Sequence, residues 1–133
     1  MIITQATMDD LTKRAKESPR LRMALDLRDS PEDGSQRILN ALEPGTPMPI
    51  HRHKHTSETV VCIRGRLIEE YYDESDKICT ETVELSPNGP IMAISIPAGQ
   101  WHTVRVIESG TVIVEMKNGK YEPLGEEDIL YIR

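Results

Sequence analysis

Three of the chain's four histidines lie within five positions, in the stretch HRHKHTSE, residues 51–58. His51 and His53 are two residues apart, a spacing that puts both imidazoles on the same face of a β-strand. Glu58 follows, and the fourth histidine, His102, lies near the start of a later strand-like run that an antiparallel neighbour could bring opposite the first pair. Three neutral imidazoles and a carboxylate suit one divalent transition metal, Fe, Mn, Ni, Zn or Cu, rather than Mg or Ca. Such a site leaves coordination positions open for a substrate.

The pattern of apolar residues predicts the elements that would position these side chains. A capping-box-like start at Thr7 and a stop at Pro19 predict one short helix over residues 8–17. Strict alternation of apolar and polar residues over 21–27 then predicts a strand with one buried face.

Short strand-like runs separated by turn residues follow, with no helical pattern between them. The runs are QRILNAL, IHRH, ETVVCIR, LIEEYYDE, KICTETVEL, PIMAISIP, WHTVRVI and TVIVEMK. They predict an all-β antiparallel sandwich or small barrel of the jelly-roll kind. The predicted organisation is an N-terminal helical segment, residues 1–19, and a single barrel domain, residues 20–133.

The run ETVVCIR, residues 58–64, is mostly apolar on both of its faces. A strand of this kind is covered on both sides, so something must pack on the outside of the barrel. The alternating strand over residues 21–27 could do so, or a second copy of the chain could, which predicts a homodimer.

Composition limits the partners of the chain. Its 133 residues include 16 basic and 22 acidic side chains, for a net charge of -6, with no basic block that could neutralise nucleic acid. No apolar run approaches the roughly 20 residues that cross a bilayer, and the N-terminus lacks the apolar core of a secretory signal, so we expect a soluble, cytoplasmic protein. Cys62 and Cys79 lie in strand-like runs without a CxxC spacing, and we expect buried free thiols.

The spacing of the metal-ligand candidates resembles a known motif. GTPMPIHRHKHTSETVVCIRG, residues 45–65, fits the first cupin motif, G-x5-H-x-H-x4-E-x6-G. The run GPIMAISIPAGQWHTVRV, residues 89–106, resembles the second motif through Gly89, Pro97, Gly99 and His102. The resemblance implies a cupin double-stranded β-helix, a small jelly-roll barrel, here with a short N-terminal helix and an extra N-terminal strand.

Two positions depart from the second motif. Gly89 stands eight residues before Pro97 instead of six, which predicts a longer turn. Val106 replaces the asparagine often found four residues after the histidine, which removes a polar group from the barrel interior.

Residues 20–125 also resemble the WbuC-type cupin metalloproteins, small bacterial proteins named from a polysaccharide gene cluster. The similarity rests on QRILNALEPGTPMPIHRH, IPAGQWHTV and VEMKNGKYEPL. It implies the barrel and a metal held by His51, His53, Glu58 and His102 more firmly than it implies any reaction.

Several further residues have two readings. His55 falls in the turn before Glu58 and is expected to be an exposed loop residue, with a proton shuttle at the pocket mouth as the alternative. Gly45, Gly65 and Gly99 are expected in turns that need a positive φ. Trp101 has the parity opposite to that of His102 and is expected to pack outside the barrel.

The candidates for substrate contact are Arg64, Tyr72, Gln100, Met116 and Lys117. If ESG, residues 108–110, is a three-residue loop, Met116 pairs with His102 and faces the pocket while Lys117 points away. A loop of two or four residues reverses this assignment. The acidic run GEEDIL, residues 125–130, is expected to be a solvated tail.

The favoured function is a small metal-dependent enzyme acting on a polar, carbohydrate-related small molecule, of the isomerase, epimerase or oxygenase type. Glu58, besides being a metal ligand, could transfer a proton to or from the substrate. A non-catalytic binding or sensor cupin is the alternative. A phosphosugar isomerase would need basic residues around the ion, and the parity of Arg52 and Lys54, opposite to that of the ligands, argues against it.

Overall fold

The computed structural model describes residues 1–132, which form two five-stranded antiparallel sheets and one α-helix, α1 (Gln5–Glu17). The strands are β1 (Arg22–Asp26), β2 (Ser35–Leu42), β3 (Ile50–His51), β4 (Glu58–Arg64), β5 (Leu67–Tyr72), β6 (Cys79–Leu85), β7 (Ala93–Ile96), β8 (Trp101–Val106), β9 (Thr111–Asn118) and β10 (Ile129–Leu130). The first sheet has the order β1-β2-β9-β4-β7 and the second has the order β10-β3-β8-β5-β6. From β2 to β10 the chain crosses between the sheets at each step except β5 to β6, which form a hairpin within the second sheet, as expected for the predicted jelly roll.

The helix begins three residues earlier than predicted. Its N-cap is Thr4, whose hydroxyl accepts a hydrogen bond from the backbone N–H of Thr7 at 3.2 Å. The hydroxyl of Thr7 in turn accepts from the backbone N–H of Thr4, at 3.1 Å. Thr7 therefore completes the capping box from inside the helix, and the prediction that it starts the helix was wrong because a second threonine precedes it.

The outer face of the first sheet is covered by α1. Met8, Leu11 and Ala15 are buried against a cluster that includes Leu39 and Val112. Residues 21–27, one of the two covers considered from the sequence, do not cover this face, because β1 pairs edge to edge with β2 and extends the sheet instead. A helix supplies the cover because its apolar residues recur on one side.

The space between the sheets is apolar at one end and polar at the other. The apolar end is filled by buried side chains, Leu42, Val60, Cys62, Leu67, Leu85, Ile96, Val106 and Ile113. Both cysteines are free, but only Cys62 is buried, so the expectation for Cys79 was wrong. Cys79 begins β6, an edge strand whose first four residues are exposed.

The C-terminal acidic run is not a solvated tail. Glu126–Asp128 form a short 3-10 helix, and β10 then pairs with β3, where Ile129 lies opposite His51. Leu130 is buried. The two apolar residues that end the run explain the difference, since they dock the segment against the second sheet. In residues 1–132, the structure has no helix that is long and apolar enough to cross a membrane.

Candidate metal centre

The four predicted ligands meet at the polar end of the space between the sheets. His51 on β3 and His102 on β8 are directly paired, with ring centroids 4.3 Å apart. His53 follows β3, and Glu58 reaches in from the first residue of β4 in the other sheet. One potential ligand atom from each side chain lies within 4.8 Å of those of the other three. The strand spacing and the long-range pairing thus bring together the residues that the sequence singled out.

Backbone carbonyls orient two of the imidazoles. Nδ1 of His51 lies 2.9 Å from the carbonyl of Pro49, and Nδ1 of His102 lies 2.9 Å from the carbonyl of Gln100. A carbonyl can only accept, so each Nδ1 carries the proton and each Nε2 presents a lone pair to the site. The loop before β8 is fixed to the other ligand segment, because the N–H of Gly99 donates to the carbonyl of His53 at 2.8 Å.

The surroundings of the Glu58 carboxylate show that the four candidate ligands fit a cation. Its Oε2 atom is buried and has no hydrogen-bond donor among the described residues. Nε2 of His53 lies 3.2 Å and Nε2 of His102 lies 3.5 Å from that oxygen. A divalent ion needs lone pairs that converge on one point with no hydrogen-bond donor among them. A mixture of nitrogen and oxygen ligands suits a transition metal.

The protonation states also suit a metal. Burial, followed by the neighbouring His102, lowers the pKa of His51 to about 4, so this imidazole is neutral at neutral pH. Burial alone would raise the pKa of Glu58, but His102, His53 and Lys117 outweigh it and the net shift is downward. Metal ligands must be neutral imidazoles and ionised carboxylates, so neither His51 nor Glu58 has to release a proton before binding.

The site opens into a cavity of about 1180 Å³ between the sheets. Ligand pockets usually have roughly 300–1,000 Å³, so there is room for a molecule of monosaccharide size or more. Polar side chains line the interior, namely Gln36, Asn40, Glu69, Glu115 and Lys117. The rim carries charges of both signs, namely Arg20, Arg22, Arg52, Lys54 and Lys120 with Glu122, Glu127 and Asp128.

Of the five candidates for substrate contact, Lys117 lines the cavity within the part of the chain that the structure describes, and the other four lie elsewhere. Arg64 reaches the outer face and forms an ion pair with Asp9 of α1 at 2.8 Å. The Gln100 amide donates to the backbone carbonyls of Tyr72 and Trp101 at 3.4 and 3.0 Å.

The pairing of Met116 with His102, one of the two registers that the sequence left open, does not occur in the structure. β8 and β9 lie in different sheets, so no loop length between them could pair these residues. Met116 instead lies opposite Thr59 on β4, on the outer face, and Lys117 lies opposite Glu58 on the inner face. The connection in a jelly roll crosses from one sheet to the other, which the hairpin reading of ESG did not allow for.

His55 and Trp101 lie where they were expected. His55 is an exposed loop residue at the cavity mouth. Trp101 is buried under the guanidinium of Arg52, whose Cζ lies 4.5 Å from the centre of the indole ring. Arg52 also donates to Asp128 at 3.3 Å, so the C-terminal segment and the indole fix its position.

The sequence analysis overlooked three polar residues of the interior, Gln36, Asn40 and Glu69. Glu69 is only 1% exposed. Its position in the strand gave a signal, because in LIEEYY Glu69 lies two residues from both Leu67 and Tyr71 and so shares the face that they turn to the inside. Asn40 shares the parity of Leu42 in the same way.

Solved structures share this fold. KdgF from Halomonas sp. superimposes with a TM-score of 0.60 at 14% identity, over 78% of this chain and 84% of that one. CapF from Staphylococcus aureus, a capsular polysaccharide assembling protein, gives a TM-score of 0.60 at 17% identity, over 86% of this chain and 32% of CapF. The cupin domain of Cnp3 from Schizosaccharomyces pombe gives 0.56 at 13%, over 75% and 65%. This chain spans about a third of the CapF chain.

Fold and site together define a cupin-fold protein whose histidine and glutamate cluster has the composition of a divalent metal site. The chain belongs to the family described as "Domain of unknown function (DUF6016)", which matches residues 3–85. That range runs from α1 through β6 and includes His51, His53 and Glu58. No curated protein matches the sequence.

Proposed function

We propose that this protein is a metal-dependent cupin enzyme that moves a proton on a polar, carbohydrate-related small molecule, as an isomerase or epimerase does. His51, His53, Glu58 and His102 would hold one divalent transition metal. The observation that carries the proposal is the convergence of these four side chains at the wall of a large cavity with a polar interior.

A bound divalent ion would act as a Lewis acid that lowers the pKa of a C–H or O–H group on the substrate. The chain itself offers groups that could hold a negative charge or a proton beside it. Lys117 lies opposite Glu58 and can bind an anionic oxygen of the substrate. Glu69 and Glu115 line the same cavity and can accept or return a proton.

The carbohydrate assignment has two supports. CapF is described as a capsular polysaccharide assembling protein, and it shares the fold. The WbuC-type resemblance of residues 20–125 points to the same kind of gene neighbourhood. We propose the WbuC type on these motifs, and the homodimer and the cytoplasmic location stay predictions.

Hydrogen exchange tests the proposed reaction class directly. Protein loaded with Zn(II), Mn(II) or Fe(II) is incubated in D₂O with aldoses, uronic acids and nucleotide sugars, and proton NMR follows the loss of individual C–H signals. Loss of a signal with the loaded wild type, and none with metal-free protein, supports proton transfer.

Other outcomes reject the proposal. Oxygen consumption by the Fe(II) form without hydrogen exchange would assign the oxygenase type instead. Tight binding of one compound with neither exchange nor oxygen consumption would replace the enzyme with a binding or sensor protein.

A further inference from the structure

The inner side chains of the two sheets form layers that follow from the strand registers. The metal layer consists of Gln36, Lys117 and Glu58 in the first sheet and His51, His102 and Tyr71 in the second. The next layer, called here the acid layer, consists of Ile38, Glu115 and Val60 in the first sheet and Val104 and Glu69 in the second. Since each layer is two residues further along its strands, the acid layer lies about 6–7 Å from the metal layer.

The acid layer contains polar atoms without partners. Glu69 is 1% exposed, and its Oε2 atom has no hydrogen-bond partner among residues 1–132. The amide of Asn40, from the adjoining apolar layer, donates to Oε1 of Glu115 at 3.4 Å, while its own Oδ1 atom is buried and unpartnered within the same described range. A buried polar group without a partner destabilises the folded protein, and a ligand that supplied the missing hydrogen bonds would remove that cost.

The chemistry of these carboxyls favours one class of ligand group. Burial, followed by the charges of Glu58 and Glu115, raises the pKa of Glu69 well above its usual range. Burial, followed by Glu58, raises the pKa of Glu115 to about 7. A protonated carboxyl both donates and accepts hydrogen bonds, as a hydroxyl does, so the carboxyls of this layer match the hydroxyls of a ligand. A second cation, in contrast, would require both carboxyls to be ionised.

We propose that Glu69, Glu115 and Asn40 form a hydroxyl-binding subsite, so that the substrate is a polyhydroxylated acid that reaches from the metal layer to the acid layer. Its carboxylate lies between the metal and Lys117, and hydroxyls further along its carbon chain hydrogen-bond to Glu69, Glu115 and Asn40. This inference rests on the proposed function, because it requires a metal bound by the four ligands.

Two probes with the same chelating end test the subsite. Gluconate and 2-hydroxyhexanoate both offer an α-hydroxy carboxylate to the metal, but only gluconate has hydroxyls along the rest of its chain. Calorimetric titration of each into Zn(II)-loaded wild type should show that gluconate binds at least about tenfold more tightly, as expected for buried polar groups that only one probe can satisfy. Equal affinity of the two probes would overturn the subsite.

Substitutions assign the preference to the acid layer. Glu69→Met and Glu115→Met should each reduce the preference for gluconate to about twofold or less while zinc loading stays unchanged. Glu70→Met is the matched control, since Glu70 is the next residue on β5, faces outward beside Arg105 and should leave the preference intact. Preference retained in both acid-layer variants would contradict the assignment.

The wild type provides a readout that does not depend on folding of the variants. Gluconate should shift the side-chain amide signals of Asn40 in the nitrogen–proton NMR spectrum of the zinc form, and 2-hydroxyhexanoate should not. Absence of that shift with bound gluconate would reject the subsite. Failure of the wild type to load zinc at all would instead reject the proposed function, so the two failures are distinguishable.

Discussion

Lys117 and Glu58 occupy directly paired positions on β9 and β4, and both side chains line the cavity. The ammonium helps to lower the pKa of the Glu58 carboxyl, although it also repels a metal ion bound there. The metal site is therefore built with a positive charge beside it, which weakens metal binding but favours an anionic group of the substrate next to the ion. A chain that only had to hold a metal would gain nothing from this lysine.

Replacing Lys117 tests that balance. At pH 7.5, where Glu58 is already ionised, Lys117→Met should strengthen Zn(II) binding about tenfold, because the repulsion between two nearby positive charges is lost. Competition with a chromogenic chelator measures the change. Lys120→Met is the control, because Lys120 lies at the rim, pairs with Glu32 and should leave the affinity within about twofold. Weaker binding in Lys117→Met would mean that the lysine positions Glu58 rather than opposing the ion.

The raised pKa of Glu115 predicts a pH dependence of stability in the metal-free protein. Its pKa is about 7 in the folded state, against an ordinary value of 4.5, so the folded state binds the proton more tightly. The contribution of Glu115 to stability is full below pH 4.5 and is lost as the pH rises through 7. Glu115→Gln does not titrate, so its stability relative to wild type should rise between pH 4.5 and 8 by roughly 2–3 kcal/mol.

Urea unfolding of the two metal-free proteins at a series of pH values measures this difference. Glu70→Gln should run parallel to wild type throughout, because Glu70 lies on the outer face. A difference between Glu115→Gln and wild type that does not change with pH would show that Glu115 has an ordinary pKa in the folded protein.

Gly65 is a position where only glycine fits. Its φ is +80°, and an added Cβ would lie 2.6 Å from Cα of Thr111, a backbone atom that cannot move aside. Gly65→Ala should destabilise the protein by at least about 3 kcal/mol. Gly110→Ala is the matched control, since Gly110 has a φ of +83° but open space around it, and should cost only about 1–2 kcal/mol. Equal losses in chemical denaturation would show that the close approach to Thr111 does not matter.

The helix should contribute stability but not metal binding. Leu11 is 2% exposed and packs on the outer face of the first sheet, away from the cavity. Leu11→Ala should lower the free energy of unfolding by about 2–4 kcal/mol while the metal content of the folded protein stays that of wild type. Loss of metal from folded Leu11→Ala protein would mean that the helix shapes the site through the sheet.

Local patterns were enough to predict most of the barrel and the site. The two-residue period of His51 and His53, the spacing to Glu58 and the turn glycines are properties of short segments. Nine of the ten strands in residues 1–132 form at the predicted runs, although β3 ends at His51, and β10 was missed. The helix start was misplaced because two threonines offered equivalent caps, and the structure uses Thr4.

Most of the other errors concern which elements are neighbours. The sequence does not reveal that β8 and β9 lie in different sheets, so it could not orient Lys117. It also does not reveal that Arg64 would find a carboxylate on the helix, 55 residues away along the chain. Glu69 was overlooked for a related reason, since it lies in the second sheet and only folding brings it to the same cavity as Glu115.

The most direct test of the metal centre is the metal content of His53→Ala compared with His55→Ala. The two histidines lie in one loop two residues apart, but His53 faces Glu58 and His55 is exposed. Each protein is stripped with chelator, reloaded with Zn(II) and desalted, and its zinc content per chain is measured by elemental analysis. We expect about one ion per chain in wild type and in His55→Ala, and less than about a tenth of that in His53→Ala, because loss of a ligand weakens binding by orders of magnitude. Equal zinc in the two variants, or none in folded wild type, would contradict the metal centre.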